Sequence, residues 1–207
     1  MSALVWILRK SKRELQIIGI TFAVLFILPI VAVVVIANAG ITEVASALAA
    51  VNPITHRVEV KDANGKVLAE LEASTVWPVK GYISEEFGVP HMPWQPYHTG
   101  IDIANPYSKI GDPVTPFMAG TVIATPELTT SFGKHVIIDH GNGITSLYGH
   151  LSQITTQKGA VVKPGDVIGL EGSTGASTGP HVHFEIRLFS IPVNPHTFMA
   201  TPKPEAR

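Results

Sequence analysis

The chain has 207 residues, 45% hydrophobic and only 15% charged, against about 25% charged in an ordinary soluble domain. Its net charge of −1 is unevenly placed: residues 1–39 hold four basic groups and one acid, the rest eleven basic and fifteen acidic groups. No basic domain of the kind that binds nucleic acid is present. The absence of cysteine excludes disulfides, thiolate metal sites, iron–sulfur clusters and thiol catalysis.

Residues 17–37 read IIGITFAVLFILPIVAVVVIA, 21 residues without a charge. About 20 apolar residues cross a bilayer as a helix, so this run is expected to be a transmembrane signal anchor. Pro29 is tolerated in lipid where its freed carbonyl finds a partner. Arg9, Lys10, Lys12 and Arg13 precede the run, and the first acid after it is Glu43. The positive-inside rule then leaves residues 1–16 in the cytoplasm and carries the rest outside, a single-pass topology. The competing reading is secretion after cleavage near Ala39, since Ala37-Asn38-Ala39 has the small residues of a signal cleavage site. The run is, however, longer than the roughly 7–15 residues of a signal core. Both readings export residues 40–207.

Residues 38–76 read as a stalk. Residues 41–51 suit a short helix that Asn52-Pro53 would end. In residues 57–72, Val58 and Val60 alternate with charges, and Asn64-Gly65 is a preferred two-residue hairpin turn. A small hairpin is expected there. A stalk of about 35–40 residues, at roughly 3.3–3.6 Å each, would hold the C-terminal domain within about 100–140 Å of the bilayer.

From residue 77 the texture changes. Fifteen of the 18 glycines lie between Gly81 and Gly179. Short β-branched runs alternate with turns: PVTPFMAGTVIA, KHVIIDH, ITSLYGHL, VVKPGDVIGLEG and HVHFEIRL. Residues 77–198 are expected to form a compact, mostly antiparallel β domain, with residues 199–207 a flexible tail.

Seven of the nine histidines fall between His91 and His183. In the alternating run HVHFEIR, His181 and His183 stand two apart. They face one side of a strand, about 7 Å apart. Glu185 and Arg187 continue that face, and Phe184, Ile186 and Leu188 occupy the other. A pure core strand would not carry two imidazoles and two charges on one face. His98 and Asp102, four apart in HTGID, also share a face in extended chain, and both are normal zinc donors. His150 ends the run SLYGHL, and Tyr148 is expected to share its face as a possible substrate contact. The His-Glu-x-x-His pattern of helical zinc proteases is absent. His135, His140, His56, His91 and His196 read as loop, turn or strand-end groups, and Asp139 as structural.

Three pieces together, HTGIDIA (98–104), KHVIIDHGNGITSLYGHLS (134–152) and STGPHVHFEIR (177–187), resemble the lysostaphin/LytM-type zinc metalloendopeptidases, which cut peptide bonds in bacterial peptidoglycan. The resemblance covers roughly residues 76–198. It implies a β domain with a groove holding Zn2+, with His98, Asp102 and His183 as the metal ligands. His150 and His181 are then the two catalytic histidines that do not bind the metal. All five positions are filled. The segment VPHMPWQPY (89–97) departs from the pattern and is expected to alter the groove rim.

Three protein ligands leave zinc an open position, as catalytic sites require. Such a site lowers the pKa of water and polarises a carbonyl, and a base and an oxyanion donor complete the set. His150 and His181 can share those roles in either order. The implied function is cleavage of peptidoglycan peptide cross-links by a membrane-anchored metalloendopeptidase. The alternative is a LytM-like module that binds wall peptides or regulates another hydrolase. VVKPGDVIGLEG also resembles the hairpin of biotinyl and lipoyl carriers, but no exposed Lys tip of the carrier kind accompanies it.

Overall fold

The computed structural model describes residues 12, 14, 16–28, 39–40, 42–74, 76–89, 97–107 and 109–200. The chain divides into two units, Met1–Ile41 and Thr42–Arg207. In the first, residues 16–22 are helical and pass into a π-helical turn at Ala23–Ile27. Ile18, Leu25 and Leu28 are more than half exposed there. Among the described residues no helix is long and apolar enough to cross a membrane. Residues 29–38, the second half of the expected span, lie outside the described residues. So do residues 1–11 of the expected cytoplasmic segment, residues 90–96 of the groove rim with His91, and residues 201–207 of the tail.

The second unit is built of short strands. In chain order they are β1 (Ala49–Val51), β2 (Val58–Lys61), β3 (Val67–Leu71), β4 (Tyr82–Glu85), β5 (Ile101–Ala104), β6 (Pro113–Val114) and β7 (Gly120–Ala124). There follow β8 (Lys134–Gly141), β9 (Ile144–Leu151), β10 (Gln153–Ile154), β11 (Val161–Val162), β12 (Gly169–Leu170), β13 (Val182–Leu188) and β14 (Ile191–Val193). The large sheet runs β11-β7-β8-β9-β13-β5-β4, with β14 beside the second half of β13. A three-stranded sheet runs β10-β12-β6, and another β1-β2-β3. The neighbouring strands pair antiparallel, as the alternating runs predict.

Phe184, Ile186 and Leu188 of β13 are fully buried and pack with Ile101, Ile103, Val136, Ile138 and Ile144. The other face of β13 is covered too: His183 and Glu185 are buried. A central strand hidden on both sides is what lets polar groups be fixed inside the domain.

The segment read as a stalk is largely folded. Residues 42–48 are helical, but residues 49–51 are strand and not helix. Pairing Ala49 with Val60 and Val51 with Val58 gives their backbone a ladder instead. Val58 and Val60 alternate as expected, and their apolar side joins the same core as the large sheet, with Ala45, Leu48 and Ala49. Ser74 ties the segment to the end of the chain, donating its N–H to Phe198 and accepting from Ala200. The hairpin is present, though its turn is wider than Asn64-Gly65 alone. Asp62 accepts from Asn64 N and Lys66 N through its side chain, and only Gly65 takes a positive φ, 79°. The side-chain cap of Asp62 competes successfully with the tighter turn.

Candidate metal centre

The site forms where β9, β13 and β5 lie side by side. Asp102 of β5 stands directly opposite His183 of β13, and directly opposed residues share a face. His98 sits just before β5, held by exchanges with Gly88 and Val89: its N–H donates to Val89 O and its carbonyl accepts from Gly88 N. His98 Nε2 lies 3.1 Å from Asp102 Oδ1 and 3.0 Å from His183 Nδ1. His183 Nδ1 lies 2.8 Å from Asp102 Oδ1. These three residues are all buried, and among the described residues they are the group able to hold a metal ion.

The outer edges of both rings are engaged. His98 Nδ1 lies 3.0 Å from the carbonyl of Glu86, and His183 Nε2 lies 3.0 Å from Glu185 Oε1. Each outer nitrogen faces an acceptor and so carries the proton. Neutral rings then present His98 Nε2 and His183 Nδ1 as acceptors toward the acceptor Asp102 Oδ1. Three acceptors this close repel one another unless a positive charge sits among them. A proton on His183 can serve: hydrogen bonds to Asp102 and Glu185 outweigh burial and push its pKa up to about 9. A metal ion can serve in its place, releasing that proton. Burial by itself would raise Asp102, but the imidazoles of His183 and His98 within hydrogen-bond distance hold it far below the usual carboxylate range. The donor set of two imidazoles and a carboxylate fits a zinc-type ion with an open position.

His150 and His181 flank this centre, their rings 4.6 Å apart. His150 Nδ1 donates to Thr174 O at 2.7 Å, and His181 Nδ1 to Gly179 O at 2.8 Å, so Nε2 of each carries the lone pair when the ring is neutral. Burial, and then the charge of His181, push His150 down to about 4, which leaves it neutral at pH 7. His181 Nε2 is buried without a hydrogen-bond partner, 3.5 Å from Asp102 Oδ2. A buried ring nitrogen left without a partner beside the metal-type cluster is what a group awaiting a ligand looks like. A cleft of about 210 Å³ opens beside His181, lined by Tyr82, Ser84, Asn105 and Thr178 among others.

All five residues singled out in the sequence thus meet in one place. Tyr148 does not join them. It is fully buried, stacked on Phe184, and its hydroxyl accepts from Phe117 N and Ser146 Oγ. The register explains why. Tyr148 opposes Phe184 and Gly149 opposes His183, so simple alternation would turn His150 toward the core with Tyr148. A φ of 60° at His150 reverses it into the site, which breaks the even spacing on which the expected shared face rests.

Among the described residues, the remaining histidines stay apart. His135 bonds Gly133 O, His140 bridges Ala119 O and Ser146, and His196 meets Glu86 at the surface. Asp139 accepts from Gly141 N at the end of β8. Phe132 is a contact that the sequence does not flag: its ring stacks on His183, 5.2 Å between centroids. Nothing in SFGKH marks that contact, because it joins residues far apart in the chain.

The profile of peptidase family M23 matches residues 96–195. The catalytic domain of the prophage-encoded M23 protein EnpA from Enterococcus faecalis is 34% identical, covering 57% of this chain and 92% of that one, with a TM-score of 0.51. The chain belongs to peptidase family M23. A zinc-containing peptidase from Vibrio cholerae is 31% identical over 75% of this M23 chain and 47% of its own, with a TM-score of 0.55. DD-carboxypeptidase/endopeptidase Mpg of Neisseria meningitidis serogroup B is 43% identical over 149 residues, 70% of this chain and 33% of that protein. The M23 chain therefore spans about a third of the length of that curated relative.

Proposed function

We propose that this M23 chain is a zinc metalloendopeptidase that cuts peptide cross-links of bacterial peptidoglycan. The observation that carries the reading is the convergence of His98 Nε2, Asp102 Oδ1 and His183 Nδ1 at 2.8–3.1 Å, with the outer N–H of each histidine ring already committed. The names of the M23 relatives, a DD-carboxypeptidase/endopeptidase and a zinc-containing peptidase, support the substrate class and the metal. A zinc ion held by these three residues would supply a Lewis acid for a peptide carbonyl and lower the pKa of water.

The protein's own groups do the rest. His150 and His181, each oriented by a backbone carbonyl, present Nε2 toward the centre. One takes a proton and, once protonated, the pair can donate to the developing oxyanion. The cleft beside His181 is lined by hydroxyl and amide groups without a carboxylate, Lys or Arg, which suits a compact, uncharged residue beside the scissile bond.

We further infer that residues 17–37 anchor the protein in the cell membrane, with residues 40–207 outside. The apolar run and the basic cluster before it support this topology. Protease added to spheroplasts should remove the C-terminal unit and leave the N-terminal peptide in the membrane; a mature N-terminus at Gly40 would replace the anchor with a cleaved signal.

The test of the activity is digestion of purified sacculi by the full chain in detergent, followed by mass analysis. New free amines without new reducing sugars are expected, abolished by a chelator and restored by zinc. Reducing ends without amines would refute the peptidase. Binding to sacculi without cleavage would assign the non-catalytic alternative.

A further inference from the structure

We propose that Glu185 is a positioning residue for the metal: it sets which nitrogen of His183 faces the ion and ties together the two segments that carry the three ligands. The inference rests on the metal reading above. Glu185 is fully buried and two residues beyond His183 on the same face of β13. Its Oε1 accepts from His183 Nε2 at 3.0 Å, which commits that proton outward and leaves Nδ1 for the ion. A carboxylate in this place also raises the basicity of the ring it holds.

The same carboxylate is gripped from two other directions. Thr99 Oγ1 donates to Oε1, and Thr99 lies between the ligands His98 and Asp102. Arg187 donates Nε to Oε2 at 2.5 Å, and its Nη2 also contacts Oε2. Gly100, beside Thr99, lets the chain approach β13 closely: a Cβ there would stand 2.4 Å from Phe184 O and 2.9 Å from Glu185 Cγ. The guanidinium of Arg187 lies 5.9 Å over the Phe132 ring, and Phe132 in turn stacks on His183. His183 is thus fixed at its edge by Glu185 and on its face by Phe132.

Stability alone explains this poorly. Burying a carboxylate is expensive, and a buried ion pair is often no more stabilising than apolar side chains of the same volume. The arrangement makes sense if the carboxylate is retained for what it does to His183.

Zinc affinity of the full chain, measured by competition with a chromogenic chelator, tests the proposal without reference to hydrolysis. Glu185→Gln keeps the shape and removes the charge, so its zinc Kd should rise about 10–100-fold with the circular dichroism spectrum unchanged. Thr99→Val and Arg187→Gln, which grip Glu185 and do not touch the His183 ring directly, should raise the Kd less but in the same direction. In the zinc-loaded wild type, nitrogen NMR should find the His183 proton on Nε2 and slow to exchange, and Glu185→Gln should make it exchange faster. Should Glu185→Gln not fold, the Thr99 and Arg187 variants decide. Zinc Kd values within about twofold of wild type in the folded variants would overturn the positioning role while leaving the metal site intact. Zinc binding by the wild type without cleavage of sacculi would instead overturn only the proposed activity.

Discussion

His150 holds a left-handed backbone conformation at the end of a strand, φ 60°, which non-glycine residues adopt at some cost and which clusters at functional sites. Here it turns a ring that alternation would aim at the core into the polar centre. His150→Ala and His181→Ala should each fold and keep zinc, because neither belongs to the three-atom cluster. Each should lose about 10²–10⁴-fold in cross-link cleavage; variants within a few-fold of wild type would remove these two from the catalytic roles. A second residue predicts a pH effect on stability. Glu171 is fully buried, with Oε2 lacking a hydrogen-bond partner. Burial first, and then the nearby Asp112, raise its pKa from 4.5 to about 7. The folded state therefore favours the neutral acid. Its stabilisation is fully present below pH 4.5 and is lost as pH rises through about 7. Thermal melts of the full chain should show wild type losing stability from pH 5 to pH 8 more steeply than Glu171→Gln; equal slopes would refute the assignment.

The elements matter because each polar group is delivered by a different one. β5 and β13 place Asp102 opposite His183 through register alone. His150 depends on two loops instead: Phe132 O accepts from its N–H, and Thr174 O from its Nδ1. Those loops meet at Gly175, φ 75°, where a Cβ would collide with the backbone of Gly133. Gly175→Ala should therefore cost about 1–3 kcal/mol. It should also lower activity, as Thr174 O moves off His150. Chemical denaturation with a parallel sacculus assay checks both; unchanged stability would mean that the loops approach less closely than this.

For the whole molecule, the main consequence is that residues 42–74 are part of the folded body. Val58 and Val60 are fully buried in the common core, and burying a side chain of this kind contributes about 1.5–3 kcal/mol. Deleting residues 42–74 should lower the melting temperature and expose apolar surface to a hydrophobic dye. A deletion that melts with the parent would make the segment an independent stalk after all.

The sequence by itself determined the strand-rich domain, which depends on local pattern, and the resemblance of its three motifs implied the five polar residues. Alternating β-branched runs can bury only one way, and even spacing puts His98 with Asp102 and His181 with His183. What the tertiary structure alone decided depends on contacts between distant segments. Phe132 reaches His183 through a loop, Tyr148 belongs to the core, and Glu185 holds the ring of His183 two residues before it while also gripping Thr99, 86 residues away. The expected stalk likewise becomes part of the domain because Val58 and Val60 find an apolar face supplied by strands far along the chain. Periodicity says which side chains share a side; it does not say what lies across from them, and the proton positions at the polar centre are set by what lies across.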